Sequence, residues 1–250
     1  MKVLAIVQAR CSSSRLPGKV IKELVGKPMI IHELDRLNRS KMIDKIVLAT
    51  STGISDDPLV KVVDEAGFKV YRGNLDDVLD RYYRCAKEYQ PMHVVRITGD
   101  CPVIDWRLVD KVINIHIEHG NDYTSLGEEY PDGLDTEVMK FSALKEAWGK
   151  AKHLSEREHV TLYLRNHENQ FKVEFIPCIK NLGYMRWTVD EPQDFLFITQ
   201  VYAELYGSNQ YFSMNDILLL LKKKPELMAL NKGFKRNEGL AKSLINDKII

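Results

Sequence analysis

Three short β-branched runs constrain this chain more than any other feature. Residues 3–7, 46–49 and 94–97 read Val-Leu-Ala-Ile-Val, Ile-Val-Leu-Ala and Val-Val-Arg-Ile, with almost no polar alternation. Runs of this kind suit strands covered on both faces, as in a parallel sheet. Helical stripes lie between and after them. Residues 28–39 place Met29, Ile30, Leu34 and Leu37 at near-helical spacing, with Pro28 suited to the first turn. Residues 76–89 carry Val78, Leu79, Tyr82, Tyr83 and Ala86, and residues 105–118 carry Leu108, Val109, Val112, Ile113 and Ile117. Strands alternating with helices predict βαβ units and an α/β fold with a doubly wound, mostly parallel sheet.

The pattern changes near residue 120. Residues 121–133 are rich in Gly, Pro, Asp and Tyr and read as a long loop. Residues 134–140, 172–176 and 185–189 read as strands. Residues 155–167 read as one helix, with Ser155 as N-cap and Glu158 at capping-box spacing. Residues 191–205 form an amphipathic helix with Phe195, Ile198, Val201, Tyr202 and Leu205 inward, and the last 35 or so residues read as two or three short helices. There is no internal repeat and no low-complexity linker. The expectation is one domain over 1–250, with 121–185 as a subregion and 213–250 as a helical tail.

Charge narrows the partners. Lys and Arg total 36 and Asp and Glu 35, a net charge of +1, so the basic excess usual for nucleic-acid binding is missing. An anionic partner then needs a local cluster of cations. The opening residues hold five apolar positions before Gln8, short of a signal-peptide core of roughly 7–15. The longest later apolar run, 217–221, is far below the roughly 20 residues of a membrane helix. Four cysteines at 11, 85, 101 and 178 form no CxxC pair. Together these predict reduced thiols, a cytoplasmic location and neither a membrane nor a nucleic-acid partner.

The cation cluster follows the first strand: Gln8-Ala9-Arg10-Cys11-Ser12-Ser13-Ser14-Arg15-Leu16-Pro17-Gly18-Lys19. In α/β sheets ligands bind at the carboxyl ends of strands, and loop amides with cations suit phosphate oxygens. A solvated basic loop with a Pro-Gly turn is the alternative. The segment is not a Walker A loop, since Val20 follows Gly18-Lys19 and Ser13 stands at the first glycine position; a GxGxxG fingerprint is absent too. Two carboxylates follow apparent strand ends, Asp100 after residues 94–98 and Asp190 after residues 186–189. Together they suit Mg²⁺, which favours one or two carboxylates plus phosphate oxygens and water. Taken separately, helix capping is the better reading for each, since Asp105 and Asp190 both precede helices.

These residues resemble a known family. The first loop is similar to the nucleotide loop of sugar-activating cytidylyltransferases, including those that make CMP-linked Kdo and CMP-linked sialic acids, and above all to the spore coat polysaccharide biosynthesis protein F group. Further matches are Asp76-Asp77-Val78-Leu79-Asp80-Arg81-Tyr82, Thr98-Gly99-Asp100-Cys101-Pro102, Pro131-Asp132-Gly133-Leu134-Asp135-Thr136-Glu137-Val138, Arg157-Glu158-His159-Val160-Thr161 and Thr188-Val189-Asp190-Glu191-Pro192. They run in order from residue 8 to about 195.

The resemblance implies a three-layer nucleotide-diphospho-sugar transferase fold (Rossmann-like, GT-A-type), CTP as donor, Mg²⁺ as cofactor and a homodimer. It assigns Gln8, Ala9, Arg10, Ser13, Arg15, Lys19, Arg72 and Asp100 to the nucleotide, with Arg15, Lys19 and Asp100 catalytic, and Asp100 and Asp190 to the metal. The acceptor motifs differ from those of the Kdo and sialic acid enzymes, so the acceptor stays open between a sugar and a sugar acid. Candidates to bind it are Asp132, Asp135, Glu137, Arg157, His159 and Arg186; for His159 the alternative is a helix-face residue without a role. Residues 121–185 are the expected acceptor-binding and dimerisation region. A glycosyltransferase of the same fold usually carries Asp-x-Asp, which this chain lacks. A non-catalytic nucleotide-binding protein would need the basic loop without the carboxylates.

Overall fold

The computed structural model describes residues 1–234 and 236–249. In chain order the elements are β1 (Val3–Gln8), β2 (Glu23–Leu24), β3 (Lys27–Pro28), α1 (Met29–Leu37), β4 (Lys45–Ser51), α2 (Asp57–Glu65), β5 (Lys69–Gly73), α3 (Val78–Tyr89), β6 (His93–Thr98) and α4 (Trp106–His119). There follow β7 (Tyr123–Leu126), β8 (Glu137–Lys140), α5 (Phe141–Lys150), α6 (Leu154–Glu158), α7 (Leu162–Asn166), β9 (Val173–Ile176), α8 (Pro192–Leu205), α9 (Met214–Lys223) and α10 (Glu238–Ile245).

Seven strands form one sheet in the order β5-β4-β1-β6-β8-β7-β9. β5, β4, β1 and β6 run parallel; β8 is antiparallel to both β6 and β7, and β9 is parallel to β7. The apolar β1 run now has its reason. Val3, Ala5 and Val7 point into a core shared with α1, α4, α8 and α9, while Leu4 and Ile6 point into a second core with α3, α5 and α7. Successive side chains alternate faces, so a strand between two helical layers is apolar throughout. The result is a three-layer α/β fold with a mostly parallel sheet, as expected.

The second half departs from the sequence reading in five places. The expected loop 121–133 contains β7, whose four residues are all buried by pairing with β8 and β9. The expected strand at 134–140 begins only at Glu137. The expected helix at 155–167 is two short helices, capped at His153 with Glu156 instead of at Ser155. Between them Val160, wholly buried, adopts φ 49°. A β-branched residue in the left-handed region is strained, and the buried side chain holds it there. The expected strand 185–189 is reduced to one bridge, Asp132 to Arg186. On α8, Phe195 and Leu205 are only half-buried, and Asp194 and Phe197 are buried.

The central strands bring two loops together. Gln8 and Thr98 are register partners at the ends of β1 and β6, and the Gly99 amide donates to the Gln8 carbonyl at 2.7 Å. The two loops therefore leave the same sheet edge side by side. A Cβ on Gly99 would stand 2.7 Å from the Ala9 Cβ, so only glycine fits this approach.

Candidate functional site

The loop after β1 is anchored at its base, while Arg10, Ser12, Ser14 and Arg15 stay exposed. The Cys11 amide donates to Asp56 at 2.7 Å, and Asp56 is itself held by the hydroxyls of Thr50 and Ser51 at the end of β4. Gly18, at φ 67°, turns the chain into a short 3-10 turn that sends Lys19 inward. Lys19 Nζ donates to Asp190 at 2.8 Å, to the Val189 carbonyl at 2.7 Å and to Asp100 at 3.2 Å. Burial pulls the Lys19 pKa down, but Asp100 and Asp190 outweigh it and hold the ammonium above its ordinary value. Burial likewise pushes Asp190 up, and Lys19, Arg15 and Arg186 outweigh it, so Asp190 stays below the usual carboxylate value.

Two carboxylates from distant positions thus converge on one cationic atom. Their oxygens are hard donors of the kind Mg²⁺ prefers, and they leave most positions to water and phosphate, as that ion requires. Among the described residues no three His, Cys, Asp or Glu side chains converge as a metal site. The pair fits a cation shared with a polyphosphate better than one caged by protein. The capping alternative falls to neighbours: Asp105 caps α4, while Glu191 caps α8 in a capping box with Asp194. That leaves Asp190 facing Lys19 and Arg15, with Arg15 Nη2 at 2.9 Å.

Two cavities flank this centre. One, of about 560 Å³, is lined by Gln8, Ala9, Arg10, Ser13 and Lys19. The other, of about 620 Å³, is lined by Asp132, Asp135, Glu137 and Arg186. They share Arg15, Arg96, Thr98, Asp100, His159 and Asp190. The nucleotide-loop candidates and most of the acceptor candidates therefore meet across one junction.

Two candidates lie elsewhere. Arg72 borders neither cavity; its guanidinium donates to the carbonyls of Ser51 and Gly53 and pairs with Asp57 at 2.6 Å. Arg157 also lies outside both; it clasps Asp77 at the start of α3 and the Trp148 carbonyl, fastening α6 to the helical layer. Arg186 lines the larger cavity, yet it is not poised for an acceptor carboxylate. Asp194 (2.9 and 3.0 Å), Asp132 (3.1 Å) and Asp190 (3.2 Å) already surround it. It ties the acidic groups together. Glu137 is similarly committed, to Arg96, Tyr123 and Thr161, the last two at 2.6 Å. Burial and then Asp135 push Asp132 up to about 7, against the pull of Arg236 and Arg186. Burial lowers His159, whose Nε2 lies 3.0 Å from the Ser243 hydroxyl.

Four arginines missed by sequence reasoning border the cavities. Arg96 stands on β6 at the junction, and its sign was visible as the single charge in an apolar strand. Arg81, buried on α3, lines the smaller cavity and donates to the Asn74 carbonyl, while its Nε has no partner. Arg165 on α7 lines the larger cavity, and its guanidinium makes no hydrogen bond or ion pair with any described residue. Arg236 pairs with Asp135 at 2.5 Å and donates to the carbonyls of Glu128 and Tyr130. No motif flags the last two.

Comparison with known proteins follows the same lines. Residues 4–228 match a family described as cytidylyltransferase. The chain is 36% identical over 236 residues to an uncharacterized protein of Methanocaldococcus jannaschii, covering 92% of this chain and 95% of that one. It is 32% identical to spore coat polysaccharide biosynthesis protein SpsF of Bacillus subtilis, covering 90% and 95%. The solved structure of a cytidylyltransferase from Leptospira borgpetersenii superposes with a TM-score of 0.88 at 28% identity, covering 94% of this chain and all of that one.

Proposed function

The chain belongs to the cytidylyltransferase family, and on that premise we propose that it joins the CMP moiety of CTP to a sugar or sugar acid, releasing pyrophosphate, in the synthesis of a surface polysaccharide. The observation that carries this reading is the junction, where Lys19, Asp100 and Asp190 meet between two cavities of comparable size. One cavity has the basic loop for a triphosphate and the other a polar, acidic wall for hydroxyls.

In this reading Arg10, Ser13, Arg15 and Lys19 hold the triphosphate, and Arg15 and Lys19 stabilise the departing pyrophosphate. Such transfers run mainly on positioning and charge stabilisation. Asp100 and Asp190 would hold Mg²⁺, which supplies charge neutralisation and lowers the pKa of a bound hydroxyl. Asp132, Asp135, Glu137 and His159 shape the acceptor cavity, and Arg186 keeps Asp132 and Asp190 in place. A sugar acid is favoured over a neutral sugar by Arg165. Arg15, Arg96, Arg186 and Arg236 on the same wall are matched by carboxylates, and Arg165 is not. A guanidinium suits an acceptor carboxylate.

We read residues 1–250 as one nucleotidyltransferase domain that acts as a homodimer. The fully exposed Ile179, with Tyr184 and with Phe175 on the edge strand β9, supports an interface within 121–185. A cytoplasmic location is consistent with four free cysteines. Among the described residues no helix is long and apolar enough to cross a membrane.

The test is pyrophosphate release by the purified protein with each nucleoside triphosphate, Mg²⁺ and a panel of neutral and acidic sugars. CTP-dependent release with an acidic acceptor is expected, and Asp100→Asn should lower it by roughly 100-fold or more with the fold intact, as circular dichroism would show. Release with no CTP-acceptor pair, or full activity in the variant, would overturn the reading.

A further inference from the structure

The last helix is attached in an unusual way. α10 buries none of its residues, and Leu244 and Ile245 are exposed. Polar contacts fasten it. Glu238 lies 3.7 Å from Arg15; Ser243 meets His159 and Glu158; beyond the helix, Asp247 accepts from the Ser155 amide and hydroxyl. An element without buried apolar contacts opens at low cost. Its entry has two left-handed positions, Gly233 and Asn237, while Arg236 between them is anchored on Asp135 and two carbonyls.

The fastening points share a location. Arg15, His159 and Glu158 all border the smaller cavity, whereas Arg236, Glu238 and Leu240 close the larger one. The segment therefore lines the larger cavity and is held at the junction, since Arg15 and His159 border both cavities and Glu158 the smaller one. We propose that residues 236–249 are a strap over the acceptor cavity, latched by Glu238 on Arg15, and that a triphosphate releases the strap by taking Arg15. This rests on the nucleotide role given to Arg15 above. Asp190 and Glu191 hold the Arg15 guanidinium at 2.9 and 3.1 Å, and Glu238, at 3.7 Å, is the outermost of its three carboxylates and the one an arriving phosphate, with its greater charge, displaces. Arg236 stays as the pivot and keeps Asp135 in position. Acceptor entry is then conditional on nucleotide, which orders the two substrates without a second protein.

Hydrogen exchange of the full-length protein tests this. With CTP and Mg²⁺, amides of α10 should exchange several-fold faster than without nucleotide, while the rest of the chain is protected. Glu238→Gln should exchange fast in both conditions and lower the KM for CTP by roughly 1.5- to fivefold, the range set by a partly exposed ion pair. Slower or unchanged α10 exchange, where CTP still raises the melting temperature and pyrophosphate release is intact, overturns the strap and leaves the enzymatic reading standing. If CTP neither stabilises the protein nor yields pyrophosphate, the enzymatic reading fails and the strap falls with it. An unchanged KM in Glu238→Gln also refutes the latch.

Discussion

Replacing Lys19 with methionine would remove the charge at the junction while keeping most of its volume. Lys19 Nζ serves two carboxylates and a carbonyl, and its side chain is only 10% exposed. Breaking a buried ion pair costs roughly 3–5 kcal/mol, because the partner is left charged and unpaired. Asp100 and Asp190 keep 25% and 21% side-chain exposure, so water recovers part of that, and about 2–4 kcal/mol is expected. For a chain of this size each kcal/mol shifts the melting temperature by roughly 2–4 °C, so a fall of about 4–16 °C should appear in calorimetry at pH 7.

The pH dependence has a definite sign. In the wild type, Asp190 is depressed below its unfolded value despite burial, chiefly by Lys19. It contributes stability above the unfolded pKa of about 3.9, and that stability is lost as pH falls through the lower folded pKa. Without Lys19 the burial effect gains weight and the Asp190 contribution shrinks or reverses. The stability gap between wild type and variant should therefore widen from pH 4 to pH 7. Millimolar Mg²⁺ should raise the melting temperature of the variant more than that of the wild type, since a cation then replaces the missing ammonium. A gap independent of pH, with no difference in the Mg²⁺ response, would refute the coupling drawn between Lys19 and the two aspartates.

Arg157→Ala should lower the melting temperature by unfastening α6 from Asp77, yet leave the KM for the acceptor within about twofold, as steady-state kinetics would show. Arg165→Ala should raise the KM for an acidic acceptor by roughly tenfold, the loss of a charge-assisted contact, and Arg165→Lys should restore part of it. Gly99→Ala should destabilise by about 1–3 kcal/mol in urea unfolding, because its Cβ would meet Ala9 at 2.7 Å and force the two loops apart.

The parallel half was legible because its physics is local. β1, β4 and β6 are covered on both faces, so burial shows directly as unbroken β-branched runs. β7 was not, since Tyr123-Thr124-Ser125-Leu126 is buried by strand pairing instead of by its composition. The break at Val160 was equally hidden: the sequence there continues a helical stripe, and only the packing of that valine forces the left-handed turn. In the site, the first loop and the two aspartates were visible as motifs after strands. The arginines divided poorly. Arg72, Arg157 and Arg186 lie beside polar motifs but are occupied by Asp57, Asp77 and Asp194, partners distant enough in sequence that no short pattern predicts them. Arg165 and Arg236 carry no pattern at all.

Strand direction reverses at β6, which runs parallel to β1 on one side and antiparallel to β8 on the other. That seam divides the fold into regions with unequal freedom to diverge. On the β1 side, Gly99 and Ala9 touch closely enough to forbid added atoms, so the junction there tolerates little drift. On the β8 side, residues 127–136 form a connection outside any strand or helix; Tyr130, Leu134 and Thr136 are buried and Gly133 packs against the Thr188 backbone, so freedom to change lies at Glu128, Glu129, Asp132 and Asp135. A lineage can thus retune what enters the larger cavity while leaving the loop after β1 untouched. Grafting residues 127–136 from a relative of different acceptor preference is the natural route to a chimera that keeps its nucleotide and changes its product.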